Sequence, residues 1–147
     1  MNLPDTNVWL ALALSKHALH AVVRDWFAAQ SGRLGSVLFC RANQHSLLRL
    51  LTTDKLMRLY DLPPLDNSSA WRFYERFLAD SRIAWIDEPP GIEIAWRRFA
   101  DRKTASPKLW MDAYLAAFAL TSGHRLITTD GAFTQFKKLE AEILSKS

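Results

Sequence analysis

The chain has 147 residues, 49% hydrophobic and 23% charged. That is enough apolar sequence for one domain with a real core, and too much for a disordered chain. Lys and Arg outnumber Asp and Glu by 19 to 15, a net charge of +4 that admits an anionic partner without requiring one.

The start, MNLPDTNVW, has no basic leader and meets an acid at position 5, so it does not read as a signal peptide. No apolar run reaches the roughly 18 residues that span a bilayer. Residues 2–5 read as a short strand and 7–14 as helix. Leu19, Val22, Val23, Trp26 and Phe27 then follow the spacing of an amphipathic helix, with Gly32 and Gly35 past its end. Ser36 to Phe39 is a buried strand. Cys40, the single cysteine, has no partner for an internal disulfide, and with the missing leader it points to the cytoplasm.

A helix over about 41–52 carries Leu47, Leu48 and Leu51 on one face, and a short helical piece follows near 54–59. Asp66 or Asn67 caps the next helix, whose face is Ala70, Phe73, Tyr74, Phe77 and Leu78. Ile83 to Ile86 reads as a strand, and Ile92, Ala95, Trp96 and Phe99 mark a short helix. Ser106 as cap and Pro107 at the first position start a helix running to about 121, apolar nearly all round and ended by Gly123. Arg125 to Thr128 is a strand. Leu139, Ala141 and Ile143 alternate with Glu140 and Glu142, which predicts a last, half-exposed strand. Neither Pro63-Pro64 nor Pro89-Pro90-Gly91 separates domains, so residues 1–147 form one domain. Strands alternating with helices imply a parallel, three-layer α/β sheet.

In such sheets, sites form at the carboxyl ends of strands near a switch in strand order. Asp5 ends the first strand, and Asp130 follows the strand ending at Thr128. Asp112 shares a helical face with Leu115, Ala116 and Ala119, where a carboxylate is costly unless paired or metal-bound. Each acid also has an ordinary reading. Asp5 can cap the helix after it, Asp130 can cap a turn, and Asp112 can belong to a buried salt bridge. Three such acids in one small fold point further. Clustered carboxylates repel, and a hard divalent cation relieves that repulsion.

Four stretches carry a family resemblance: Asp5-Thr6-Asn7-Val8, the run Leu47 to Thr52, Trp110 to Ala116 around Asp112-Ala113-Tyr114, and Thr128 to Phe133 around Asp130. In this order, over nearly the whole chain, they resemble PIN-domain ribonucleases of the VapC toxin family of type II toxin–antitoxin systems. The resemblance implies an α/β/α sandwich with a central, mainly parallel sheet. It implies an acidic pocket formed by Asp5, Asp112 and Asp130 that binds Mg2+ or Mn2+, with Asn7 and Thr128 as polar support. It also implies endonucleolytic cleavage of RNA, a cognate antitoxin that silences the pocket, and a homodimer. The family pattern has a Glu on the helix after the second strand, and here Gln44 holds that place. A glutamine can ligate through its carbonyl or hold water, but it brings no charge and is not a base. The neutral Gln44 supports a rival expectation: a non-catalytic PIN-like module that binds RNA or protein through a degenerate metal site.

Arg41, His45 and Arg49 recur every four residues, as a solvated face or as phosphate contacts beside the site. Arg97, Arg98, Arg102, Lys103 and Lys108 gather before Asp112, as an RNA-guiding rim or a solubilising loop. The helix about 18–29 and the segment about 54–80 are rich enough in apolar side chains to line a partner groove, although most of these must fill the core. Pro4 is an oddity in an interior strand, because it offers no N–H.

Overall fold

The computed structural model describes residues 1–147. Strand β1 (Asn2–Pro4) runs into helix α1 (Thr6–Ala13), followed by α2 (His20–Ala28), β2 (Val37–Phe39), α3 (Arg41–Leu51), α4 (Asp54–Arg58) and α5 (Asn67–Leu78). The second half is β3 (Ile83–Trp85), α6 (Ile92–Ala100), α7 (Leu109–Ser122), β4 (Arg125–Thr128), a 3-10 turn over Gly131–Gln135, and β5 (Ala141–Ile143). The five strands form one all-parallel sheet in the order β3-β2-β1-β4-β5. No helix is long and apolar enough to cross a membrane.

Side chains of a strand alternate between faces, and the core divides accordingly. Leu3, Leu38 and Leu126 pack with Phe99 of α6 and with Leu115 and Phe118 of α7. Val37, Phe39 and Ile83 pack on the opposite face with Trp9 of α1, Leu47 and Leu51 of α3, and Tyr74 of α5. This is the expected three-layer α/β/α sandwich. Alanines at 113, 116, 117 and 119 are fully buried, so α7 lies directly on the sheet. Its C-terminus closes through left-handed Gly123 and a bond from His124 N to Ala119 O at 2.9 Å.

Two expectations need correction. Helix α7 starts at Leu109 rather than at Pro107, because the Ser106 hydroxyl pairs with Thr104 at 3.1 Å instead of capping a helix N–H. Asp112 therefore falls in the first turn of α7. At the last strand, Leu139 just before it and Ala141 within it turn to the core as expected, but Ile143 is exposed. Leu144 is the buried residue, packed beside Val8, Val23 and Ile127, with its N–H bonded to Thr128 O at 2.7 Å. Arg125 holds this edge by reaching both Glu140 and Glu142.

Candidate active site

Pro4 shapes the floor of the site. All three β1 residues keep register with β4, but only Asn2 matches β2, opposite Val37. With no N–H, proline cannot extend that ladder. The Pro4 carbonyl instead accepts from Asn43 Nδ2 of α3 at 2.9 Å, and Thr6 Oγ1 donates to Asn43 Oδ1 at 3.1 Å. Asn43 is 0% exposed. It thus grips the chain on both sides of Asp5, while Asp5 N bonds to Ile127 O of β4 at 2.8 Å. Sequence reasoning passed over Asn43. The available signal was Pro4 itself, since a central strand with a missing donor needs a side chain to complete it.

Asp5 is 3% exposed. Its Oδ1 accepts from Val8 N at 3.0 Å and caps α1, so the ordinary reading of this residue is correct as far as it goes. Its Oδ2 accepts from Thr128 Oγ1 at 2.5 Å. Thr128, also buried, accepts in turn from Asp130 N at 2.9 Å. Asp130 is exposed, and its Oδ1 receives Ala132 N at 2.9 Å. The carboxyl ends of neighbouring strands β1 and β4 are therefore joined through one hydroxyl.

Burial pushes the Asp5 carboxyl up to about 6; bonds from Thr128 and Val8 oppose this, and the charges of Asp112 and Asp130 add to it. Half-buried Asp112 is also raised, first by burial and then by the Asp130 charge. The three acids thus share one field. None of them takes part in an ion pair, so the salt-bridge reading of Asp112 does not hold. No group of three Asp, Glu, His or Cys side chains is arranged to hold a metal ion by itself.

Gln44 is buried, and its Oε1 accepts from Arg41 Nη1 at 2.6 Å. The Arg41 guanidinium also lies over the Trp85 ring, 4.6 Å from its centre. Asn7 is exposed on the first turn of α1. Two further acids follow edge strand β3: Asp87 accepts from Trp85 Nε1 at 2.8 Å, and Glu88 accepts from the Tyr114 hydroxyl at 2.7 Å. Arg102, Lys108, Asp112 and Gln135 line an open cleft of about 430 Å³, which sets two cations of the basic rim beside one of the acids.

The PIN domain family matches residues 3–139. Ribonuclease VapC41 of Mycobacterium tuberculosis is 52% identical over 147 residues, covering 99% of this chain and 100% of that protein. Among solved structures, VapBC2 from Rickettsia felis, bound to a DNA fragment from their promoter, superposes with a TM-score of 0.69 at 13% identity, covering 98% of each chain. Mycobacterium tuberculosis VapC20, a sarcin-ricin loop cleaving toxin, superposes with a TM-score of 0.63 at 17% identity, covering 95% of this chain and 98% of that one. At those identities the two structures speak to the fold alone. The chain belongs to the PIN domain family, in the branch of the VapC ribonucleases.

Proposed function

We propose that this chain is a metal-dependent endoribonuclease and the toxin of a toxin–antitoxin pair, active in the cytoplasm. The observation that carries the reading is that Asp5 and Asp130 meet through the Thr128 hydroxyl at the ends of β1 and β4, with Asp112, in no ion pair, in the first turn of α7. The 52% identity to a VapC ribonuclease supports it.

The donor set fits Mg2+ or Mn2+. It is all oxygen and anionic, and none of its three acids is in an ion pair. Bound there by Asp5, Asp112 and Asp130, the cation would supply Lewis acidity at an RNA phosphodiester and offset charge in the transition state. The chain's own part is orientation. Thr128 and Val8 fix the Asp5 carboxylate, and Asn43 fixes the backbone on either side of it. Cations at Arg102 and Lys108 attract the phosphate backbone to the cleft beside Asp112.

An antitoxin would silence the site by presenting a cation to the same acids, and the active toxin would be a homodimer. One observation favours a second reading, a non-catalytic RNA- or protein-binding module. Gln44 brings no charge, and its carbonyl oxygen is already held by Arg41. Sequencing RNA 5′ ends after brief induced expression separates the two. New ends at discrete positions, absent with Asp112→Asn, are expected of the nuclease. An unchanged set of RNA ends, with the wild-type protein folded and abundant, rejects it.

A further inference from the structure

Trp110, the second residue of α7, is 59% exposed, although the indole is the largest apolar side chain available for a core. It is nonetheless held in place. Its backbone carbonyl accepts from Trp96 Nε1 at 3.1 Å, and its ring meets the Trp96 ring at 80°, with centres 6.2 Å apart. Trp96 is itself braced against Tyr114 at 5.4 Å. The result is an aromatic surface that is open to solvent and fixed, two residues before Asp112.

Three clefts adjoin here. One holds Asp112 with Arg102 and Lys108, the next holds Arg102 with Trp110, and the third holds Trp110 with Arg97. The first two share Arg102, Ser106, Pro107 and Leu109, and the last two share Ala100, Asp101 and Trp110, so residues 101–108 border an open groove between the acid and the indole. Between positions 97 and 112 the sequence carries the five cations Arg97, Arg98, Arg102, Lys103 and Lys108 against the acids Asp101 and Asp112. Arg97 is tied to Glu93, whereas Lys108 has no ion pair and Arg102 bonds only to the neutral Gln135.

We infer that this groove seats the RNA strand leading away from the cleavage position: Trp110 stacks on one unpaired base, and Arg102 and Lys108 take the adjoining phosphates. This rests on the endoribonuclease reading and adds the path of the substrate to it. Single-stranded nucleic acid is held by aromatic faces for bases and a cationic track for the backbone, and this groove sets one exposed indole beside Arg102 and Lys108. A partner helix would need a continuous apolar stripe instead. Around Trp110 the apolar Trp96, Ala100, Pro107 and Leu109 are interrupted by the charged Glu93, Arg97, Asp101 and Arg102, so no such stripe runs through it. Stacking has no preference for base identity, so Trp110 acts as a positioning residue that favours unpaired segments over duplex.

The test measures binding of a fluorescein-labelled single-stranded oligoribonucleotide by anisotropy, in a cleavage-deficient Asp5→Asn background. Trp110→Ala should weaken binding at least about fivefold, the loss expected for one stacked base, while Trp110→Phe should stay within about twofold of the parent. Lys108→Ala and Arg102→Gln should each weaken binding and lower the salt slope by about one. Parent-like binding by a folded Trp110→Ala variant overturns the inference. So does a Trp110→Ala variant that loses self-association or antitoxin binding but keeps its RNA affinity. If the wild type cuts RNA while Trp110→Ala binds like the parent, this inference alone falls. If the wild type neither binds nor cuts RNA, the functional reading falls and takes this one with it.

Discussion

Thr128 Oγ1 donates to Asp5 Oδ2 across 123 residues of sequence and accepts from Asp130 N. One hydroxyl therefore sets the geometry between two of the three acids. Thr128→Val keeps the shape and removes both bonds. It should cost about 1–3 kcal/mol, the usual penalty for stranding buried polar groups. It should also raise the Asp5 carboxyl further, because Thr128 is the main influence holding it down. Urea unfolding and the pH profile of cleavage check the two effects. Wild-type stability in Thr128→Val would mean that the hydroxyl is not engaged.

The buried Asp5 makes stability depend on pH in a definite direction. Its carboxyl titrates near 6 in the folded protein against an ordinary value of 3.8. Between these values the folded state holds the proton and the unfolded state does not. Without a bound cation, stability from this group is greatest below about pH 4 and is lost as pH rises through 6. The difference is on the order of 3 kcal/mol. Asp5→Asn keeps the cap on α1 and removes the charge, so at pH 7 in EDTA it should melt higher than the wild type, and at pH 4 it should not. A gap in Tm that stays constant from pH 4 to 7 contradicts this placement of the Asp5 proton.

Metal binding should reverse that disadvantage. Adding Mn2+ at pH 7 should raise the wild-type Tm, with a stabilisation of about 2.7 kcal/mol once the ion reaches a hundred times its Kd. Asp5→Asn and Asp112→Asn should respond far less. Calorimetric titration of the three proteins checks this, and equal Mn2+ binding by all three would remove these acids from the metal site.

Asn43 is expected to act through Asp5. Asn43→Ala leaves the Pro4 carbonyl and the Thr6 hydroxyl without their partner, and should cost about 2 kcal/mol. Its cleavage defect should lie in kcat rather than KM, because the residue is buried away from any substrate. A pure KM defect would place Asn43 in the RNA path instead. Gln44→Glu, by contrast, should be tolerated, since the new carboxylate gains Arg41 as a partner. Marked destabilisation of that variant would contradict the Arg41 contact.

The alternation of strands and helices was legible because each strand is a short apolar run and each helix shows its stripe. Asp5 and Asp130 were legible for the same reason, as acids at strand ends that strand order makes neighbours. The start of α7 was not, because Ser106 had a nearer hydroxyl partner in Thr104, and local pairing competed with capping. The exposure of Ile143 was hidden because an edge strand can turn apolar side chains either way, and Leu144 took the core position. Asn43 escaped notice because a buried amide leaves no trace in charge or periodicity; its partner is a carbonyl 39 residues away in sequence. Trp110 carried no signal beyond its place in the stretch around Asp112, because exposure of a single indole leaves no mark on periodicity.

The central claim is that Asp5, Asp112 and Asp130 form the catalytic centre of an RNA-cleaving enzyme. The most direct measurement is the single-turnover cleavage rate of end-labelled RNA in Mg2+ by the purified wild type and by Asp112→Asn, the two matched for folding by their melting curves. Asp112→Asn removes an anionic oxygen and keeps the shape of the side chain. The expected result is internal cleavage by the wild type, its loss in EDTA, and a fall of at least about a hundredfold in the variant, the scale on which losing one electrostatic group in an active site acts. Cleavage by Asp112→Asn at the wild-type rate, or undiminished wild-type cleavage in EDTA, contradicts the account.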